Sequence, residues 1–163
     1  MQRRLILMRH AKSSWDAGVD SDHARPLTPR GRRDAPAMAQ ELVALEWVPD
    51  QVISSDAQRT RETWAGMEPV FGGDIDVTFQ RELYHAGLPA LQASSLGWSE
   101  DWGTVLALGH NPGWSDAAGR LASTLVEMTT ANCALLEGEG ATWLEALQGS
   151  WRLADLLRPR DPR

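Results

Sequence analysis

Short apolar runs alternate with longer amphipathic segments along this chain. Arg3 to Met8 (RRLILM) is apolar between charges and predicts a buried strand ending at Arg9-His10. Ser13 to Pro26 is polar and irregular, a loop. Thr28-Pro29 supplies a helix cap followed by proline at the first helical position. From Arg30 to Trp47, Ala35, Met38, Ala39, Leu42, Val43 and Leu45 recur at helical spacing, and Pro49-Asp50 stops the helix. Gln51 to Ser54 (QVIS) predicts a second strand, and Ser55-Asp56 cap a helix running to about Met67. Gly72-Gly73 is a turn, and Ile75 to Phe79 alternates as a third strand. A loop carries Glu82, Leu83, Tyr84 and His85 before a short helix over Pro89 to Leu96. Thr104 to Leu108 (TVLAL) predicts a buried strand ending in Gly109-His110, and Asn111-Pro112 opens a helix to about Leu125. Two closing strands are expected at Ala134 to Leu136 and Ala141 to Leu147, about the Gly138 to Gly140 turn. A last helix is expected over Ser150 to Leu157, then a Pro/Arg tail, Arg158 to Arg163, that frays.

Strands alternating with helices predict an α/β domain with a mainly parallel central sheet. At 163 residues the chain fits one domain, expected over 1–157. Its 42% apolar content argues against disorder. No apolar run approaches the roughly 18–20 residues of a membrane span, and Arg3 to Met8 is too short for a signal-peptide core. A lone Cys133 cannot form an intramolecular disulfide, which suits a reducing compartment. A cytoplasmic protein without a membrane partner is expected. The formal net charge of −6 disfavours nonspecific nucleic-acid binding, so any anion site must gather positive charge locally.

Ligands of open α/β sheets sit beyond the carboxyl ends of the strands. There the first strand delivers Arg9-His10, the second leads through Ser54-Ser55 towards Arg59, and the fourth delivers His110. Helix starts at two of these junctions add free N–H groups and partial positive charge. Two arginines, two histidines and two helix starts on one sheet edge point to a phosphate site. The four histidines give no metal-ligand spacing, and no Gly-rich nucleotide loop is present, so neither metal nor cofactor is implied.

The stretch Leu7-Met8-Arg9-His10-Ala11-Lys12-Ser13 resembles the strand-then-Arg-His-Gly signature of the histidine phosphatase superfamily. Ser54 to Thr63 (SSDAQRTRET) is similar to that superfamily's second-arginine segment, and Gly109-His110-Asn111-Pro112-Gly113 to its second-histidine segment. Arg25-Pro26-Leu27-Thr28-Pro29-Arg30-Gly31 and the short length are similar to its SixA-like phosphohistidine phosphatase branch. Ala11 departs from the glycine of the general signature, a departure the SixA-like branch tolerates.

The resemblance implies a phosphoglycerate mutase-like three-layer sandwich, with the sheet flanked by helices. It implies His10 as nucleophile, Arg9 and Arg59 as the phosphate clamp, and His110 as the second imidazole. Arginine holds phosphate oxygens bidentately, and two cations beside His10 oppose its protonation, keeping it nucleophilic. His110 is expected to be cationic. Glu82 in Arg81-Glu82-Leu83-Tyr84 occupies a place compatible with a proton donor, whereas a phosphohistidine leaving group could dispense with one. Asn111 and Ser13 are candidate substrate contacts, as is Lys12; for Asn111 capping alone is the safer reading, and His23 and His85 are expected to be surface or loop residues. The implied activity is a metal-independent phosphatase forming a phosphohistidine intermediate, acting on phosphohistidine of a partner protein. Hydrolysis of small phosphomonoesters, and a noncatalytic phosphohistidine-binding module, are the alternatives. Oligomeric state is not encoded in these motifs.

Overall fold

The first strand, β1 (Gln2–Arg9), has Leu5, Ile6, Leu7 and Met8 fully buried, so both faces of the sheet must be covered. In the computed structural model, which describes residues 1–160, the order continues as α1 (Pro29–Ala44), β2 (Gln51–Ser55), α2 (Gln58–Met67), β3 (Val77–Gln80), α3 (Leu88–Ser95), β4 (Thr104–Gly109), α4 (Gly113–Ala122), β5 (Cys133–Glu139), α5 (Trp143–Leu147) and β6 (Arg152–Leu157). The six strands lie in the order β3-β2-β4-β1-β5-β6. β3, β2, β4 and β1 are mutually parallel; β5 runs against them, and β6, antiparallel to β5, runs with them. This is the phosphoglycerate mutase-like α/β sandwich.

Period-two alternation builds the layers. Leu5 and Leu7 of β1 face a core shared with Leu91, Trp114, Leu121 and Trp143 from α3, α4 and α5. Ile6 and Met8 face a second core with Met38, Leu42, Trp64 and Met67 from α1 and α2. Ala11 belongs to that second core, which gives its methyl group a packing role where the general signature has glycine. Helix α1 starts as its residues require: Pro29 occupies the first turn, and Thr28 Oγ1 accepts from Gly31 N at 3.1 Å. Gly31 lies so close to the segment after His10 that a Cβ there would sit 2.2 Å from Lys12 O.

Two elements differ from the sequence expectation. Ala141 to Leu147 holds helix α5, not a strand. Thr142 Oγ1 accepts from Glu145 N and Glu145 Oε2 accepts from Ala141 N, a reciprocal cap spelled by Thr-x-x-Glu. Residues 152–157 form strand β6, not a helix. Leu135 pairs with Asp155 but Leu136 with Leu153, so β6 carries an extra residue that breaks the alternation. Of the tail expected to fray, Arg160 lies 3.9 Å from Glu41 of α1. Residues 161–163 fall outside the described residues. No described helix is long and apolar enough to cross a membrane.

Candidate active site

Parallel pairing of β1 with β4 sets Arg9 beside Gly109, so the next residues, His10 and His110, leave adjacent strands at the same edge. His10 N donates to Gly109 O at 3.1 Å, and the two imidazole centroids are 5.3 Å apart. β2 flanks β4 on its other side, and Ser55 at its end holds His110 Nε2 through Oγ at 2.8 Å. Arg59, fully buried in the first turn of α2, points its Nε–H at His10 Nε2 over 3.3 Å. Thr63 fixes that helix to the loop after His10: its Oγ1 accepts from Ala11 N at 3.1 Å and donates to Arg59 O at 2.7 Å. Strand order thus brings His10, His110 and Ser55 together, and α2, tied down by Thr63, adds Arg59.

The tautomer of His10 follows from its partners. Ala11 O, 2.7 Å from Nδ1, can only accept, so Nδ1 carries the proton and Nε2 presents a lone pair. Burial, foremost, and the charges of Arg59, Arg9 and Arg25 depress the His10 pKa to about 3, although the Ala11 hydrogen bond opposes them. His110 is depressed to about 2, first by burial and then by Arg59, His10 and His85, with Asp22 opposing. Burial and the neighbouring cations thus push both rings toward the neutral form, against the cationic His110 expected from sequence. In His110 the nitrogen opposite Ser55, Nδ1, is buried and has no partner among the described residues, as is Arg9 Nε. Buried unpaired nitrogens facing a clamp of cations are what an oxyanion would satisfy.

Neutral burial has a consequence for stability. Below the ordinary histidine value of 6.5 the unfolded chain takes up protons at both rings while the folded chain does not, so stability falls with pH down towards the folded values of about 3 and 2. From pH 7.5 to pH 5.0 each ring costs up to about 2 kcal/mol. Urea unfolding at the two pH values measures this; a double His10→Gln, His110→Gln variant is expected to flatten the slope, and an unchanged slope would refute the assignment.

The other expected residues divide. Arg9 is half-buried and donates through Nη1 to Met128 O at 3.2 Å, and it adds to the positive field on His10. Ser13 is buried and its Oγ accepts from Arg25 Nη1 at 2.9 Å, so it orients a third arginine. Asn111 has both polar atoms engaged: Oδ1 accepts from Ser115 N and Oγ, and Nδ2 donates to Met128 O at 2.6 Å. Its capping role is what the structure displays. Lys12 is exposed. Glu82 is exposed and makes no hydrogen bond or ion pair among the described residues.

Sequence reasoning passed over three residues that complete the cluster. Asp22 stands in a 3-10 turn (Asp22–Ala24) within the loop after β1. Its Oδ1 accepts from Arg25 Nε at 2.9 Å; its Oδ2 accepts from Arg59 Nη2 at 3.0 Å, from the Tyr84 hydroxyl, and meets His85 Nε2 at 3.0 Å. The Asp22 backbone carbonyl also accepts from Arg59 Nη1 at 2.8 Å. Tyr84 and His85 wall the pocket, with rings 5.4 Å and 5.0 Å from His110. His85 is the exposed loop residue expected, yet it reaches the cluster from a left-handed backbone with φ 54°. Close approach of the next strand's helix start keeps this wall in place, since a Cβ on Gly113 would fall 1.8 Å from Ala86 O. The spacing Asp22-x-x-Arg25 was the one available signal for the carboxylate.

A family model of the histidine phosphatase superfamily (branch 1) matches residues 5–87. An uncharacterised chloroplastic protein of Arabidopsis thaliana is 39% identical over 98% of this chain and 79% of its own length. Among solved structures, a protein assigned as phosphohistidine phosphatase SixA from Nakamurella multipartitia is 30% identical, covering 98% of this chain and 97% of that one with a TM-score of 0.85. A second protein so assigned, from Agrobacterium tumefaciens, is 27% identical over 96% of this chain and 98% of that one, with a TM-score of 0.79. By model and by relatives alike, the chain belongs to the histidine phosphatase superfamily and is a phosphatase.

Proposed function

We propose that this phosphatase removes phosphate from phosphohistidine on a protein partner, through a phosphorylated His10 and without a metal. The observation that carries the reading is His10 itself: Nδ1 committed to Ala11 O, Nε2 unprotonated and 3.3 Å from the Arg59 guanidinium. In the first step the Arg59 Nε–H hydrogen bond passes from His10 Nε2 to a phosphate oxygen, the freed Nε2 lone pair attacks phosphorus, and the leaving group departs with its bonding pair. In the second, water attacks the same phosphorus and His10 Nε2 is released. Arg59 and Arg9 meet the charge on the transferring oxygens, and Ser55 donating to His110 Nε2 would leave the ring proton on Nδ1 as a further donor. A positive field of this kind serves phosphoryl transfer without an added cation.

The names of the two structural relatives above favour a phosphohistidine substrate. So does the state of the carboxyl groups described near the site: Asp22 accepts from several donors, and Glu82 makes no hydrogen bond or ion pair with the cluster among the described residues. Free, buried Cys133 accords with a reducing compartment such as the cytoplasm. Side-by-side rates on a phosphohistidine protein and on a panel of sugar, nucleotide and glycerol phosphates, all with EDTA present, test the reading. A kcat/KM at least about tenfold higher on the phosphohistidine protein is expected; preference for a metabolite, or loss of activity with EDTA, would overturn it.

A further inference from the structure

One guanidinium links the attacking ring to Asp22: Arg59 gives its Nε–H to His10, Nη2 to the Asp22 carboxylate and Nη1 to the Asp22 backbone carbonyl. Three of the guanidinium's five N–H groups are thereby used, and two are committed to neither His10 nor Asp22. Asp22 is thus joined to the attacking ring through one shared guanidinium. Its side chain keeps 38% exposure and lines an open cavity of about 340 Å³ together with Trp15, Val19 and Arg25. Trp15 is 75% exposed and stacks its ring 3.6 Å from the Arg25 guanidinium, forming the outer wall. The carboxylate is held by Arg25, Tyr84 and His85 as well, so its position does not depend on Arg59 alone.

We propose that Asp22 is the specificity residue for the leaving group, accepting the N–H of a protonated imidazole ring seated in the cavity beside it. The inference rests on the phosphohistidine reading above. A phosphoimidazole protonated on the nitrogen remote from phosphorus has a cationic ring, beside its anionic phosphoryl group, with one N–H pointing away from phosphorus. When His10 Nε2 attacks, the P–N bond breaks and its electron pair returns to the ring nitrogen. The ring leaves neutral, keeping its remote proton, and the positive charge passes to the phosphorylated His10 ring, whose Nδ1–H stays on Ala11 O. No proton has to be supplied. An alcohol leaving group has the opposite need, a donor for its departing oxygen. Burial works to raise the Asp22 pKa, but hydrogen bonds from Tyr84, His85 and Arg25 and the charge of Arg59 hold it well below the usual carboxylate range, so it remains an acceptor. The same negative charge disfavours metabolites that carry a second anion next to the phosphate.

The test compares wild type and Asp22→Asn on a phosphohistidine peptide and on p-nitrophenyl phosphate. A charge-assisted hydrogen bond predicts that kcat/KM on the peptide falls about tenfold to a hundredfold more than on the ester, chiefly through KM. Asp22→Glu is expected to restore most of the preference. Equal losses on both substrates, accompanied by weaker orthovanadate inhibition, would show Asp22 merely supporting Arg59 and overturn the inference. So would an unchanged substrate ratio. A second measurement needs no variant: methylating the remote ring nitrogen of the peptide keeps the charge but removes the N–H, and wild-type kcat/KM should fall about tenfold. No fall would overturn the inference while leaving the phosphohistidine reading intact. Wild type that hydrolyses the ester but not the phosphohistidine peptide would instead defeat that reading, and the inference with it.

Discussion

Replacing His10 with alanine is expected to lower kcat by roughly 10⁴-fold or more, because the atom that takes the phosphoryl group is gone and no other nucleophile replaces it. His110 is the only other imidazole ring against His10 itself, at 5.3 Å, but its Nε2 is engaged by Ser55. Arg59 cannot act as a nucleophile, and the nearby Thr63 hydroxyl is turned to Ala11 N and Arg59 O. The fold should survive. His10 side-chain contacts are with a backbone carbonyl and a guanidinium that has two further acceptors on Asp22. Initial rates on p-nitrophenyl phosphate, with circular dichroism to confirm folding, measure the effect; a loss below about tenfold would show that the reaction does not pass through this ring.

Arg59 is the second position with a large expected effect. Arg59→Lys should lose about 10³-fold in kcat/KM, and lysine should fare little better than alanine. The argument is geometric: one planar group points Nε–H at His10, fixes Asp22 by two donors and keeps two N–H groups committed to neither. An ammonium has the charge but cannot span these partners. The loss should not come from a changed nucleophile. Burial is the largest cause of the low His10 pKa, and the Arg59 charge acts after it, so the variant's His10 stays neutral at pH 7. NMR titration of the His10 ring in Arg59→Lys checks that separation; a ring protonated at pH 7 would relocate the effect from the clamp to the nucleophile.

The strand-end logic was legible because it depends on local signals. Arg9-His10 and His110 each follow an apolar run, and buried parallel strands read as such runs. The Thr-x-x-Glu cap of α5 was legible too, but the apolar residues of 141–147 suggested a strand more strongly than two polar ones suggested a cap. β6 was not: the extra residue opposite Leu135 and Leu136 destroys the alternation, leaving Leu153, Leu156 and Leu157 at spacings a helix would share. The carboxylate of the site was hidden for a different reason. Asp22 sits in an irregular loop, where no periodicity reports which way a side chain faces. It converges with Tyr84 and His85 only through the fold. Glu82 illustrates the converse, a motif position whose residue type suits the chemistry but whose side chain meets none of the cluster.

Everything proposed for this phosphatase turns on a covalent bond between phosphorus and one imidazole nitrogen. Rapid-quench mass spectrometry of the wild-type chain mixed with a phosphodonor reads that bond directly. The account predicts a phosphate that is stable in alkali, labile in acid, formed within one turnover and mapped to His10. Full turnover with no phosphorylated chain at any quench time, or phosphate mapped to another residue, would contradict it.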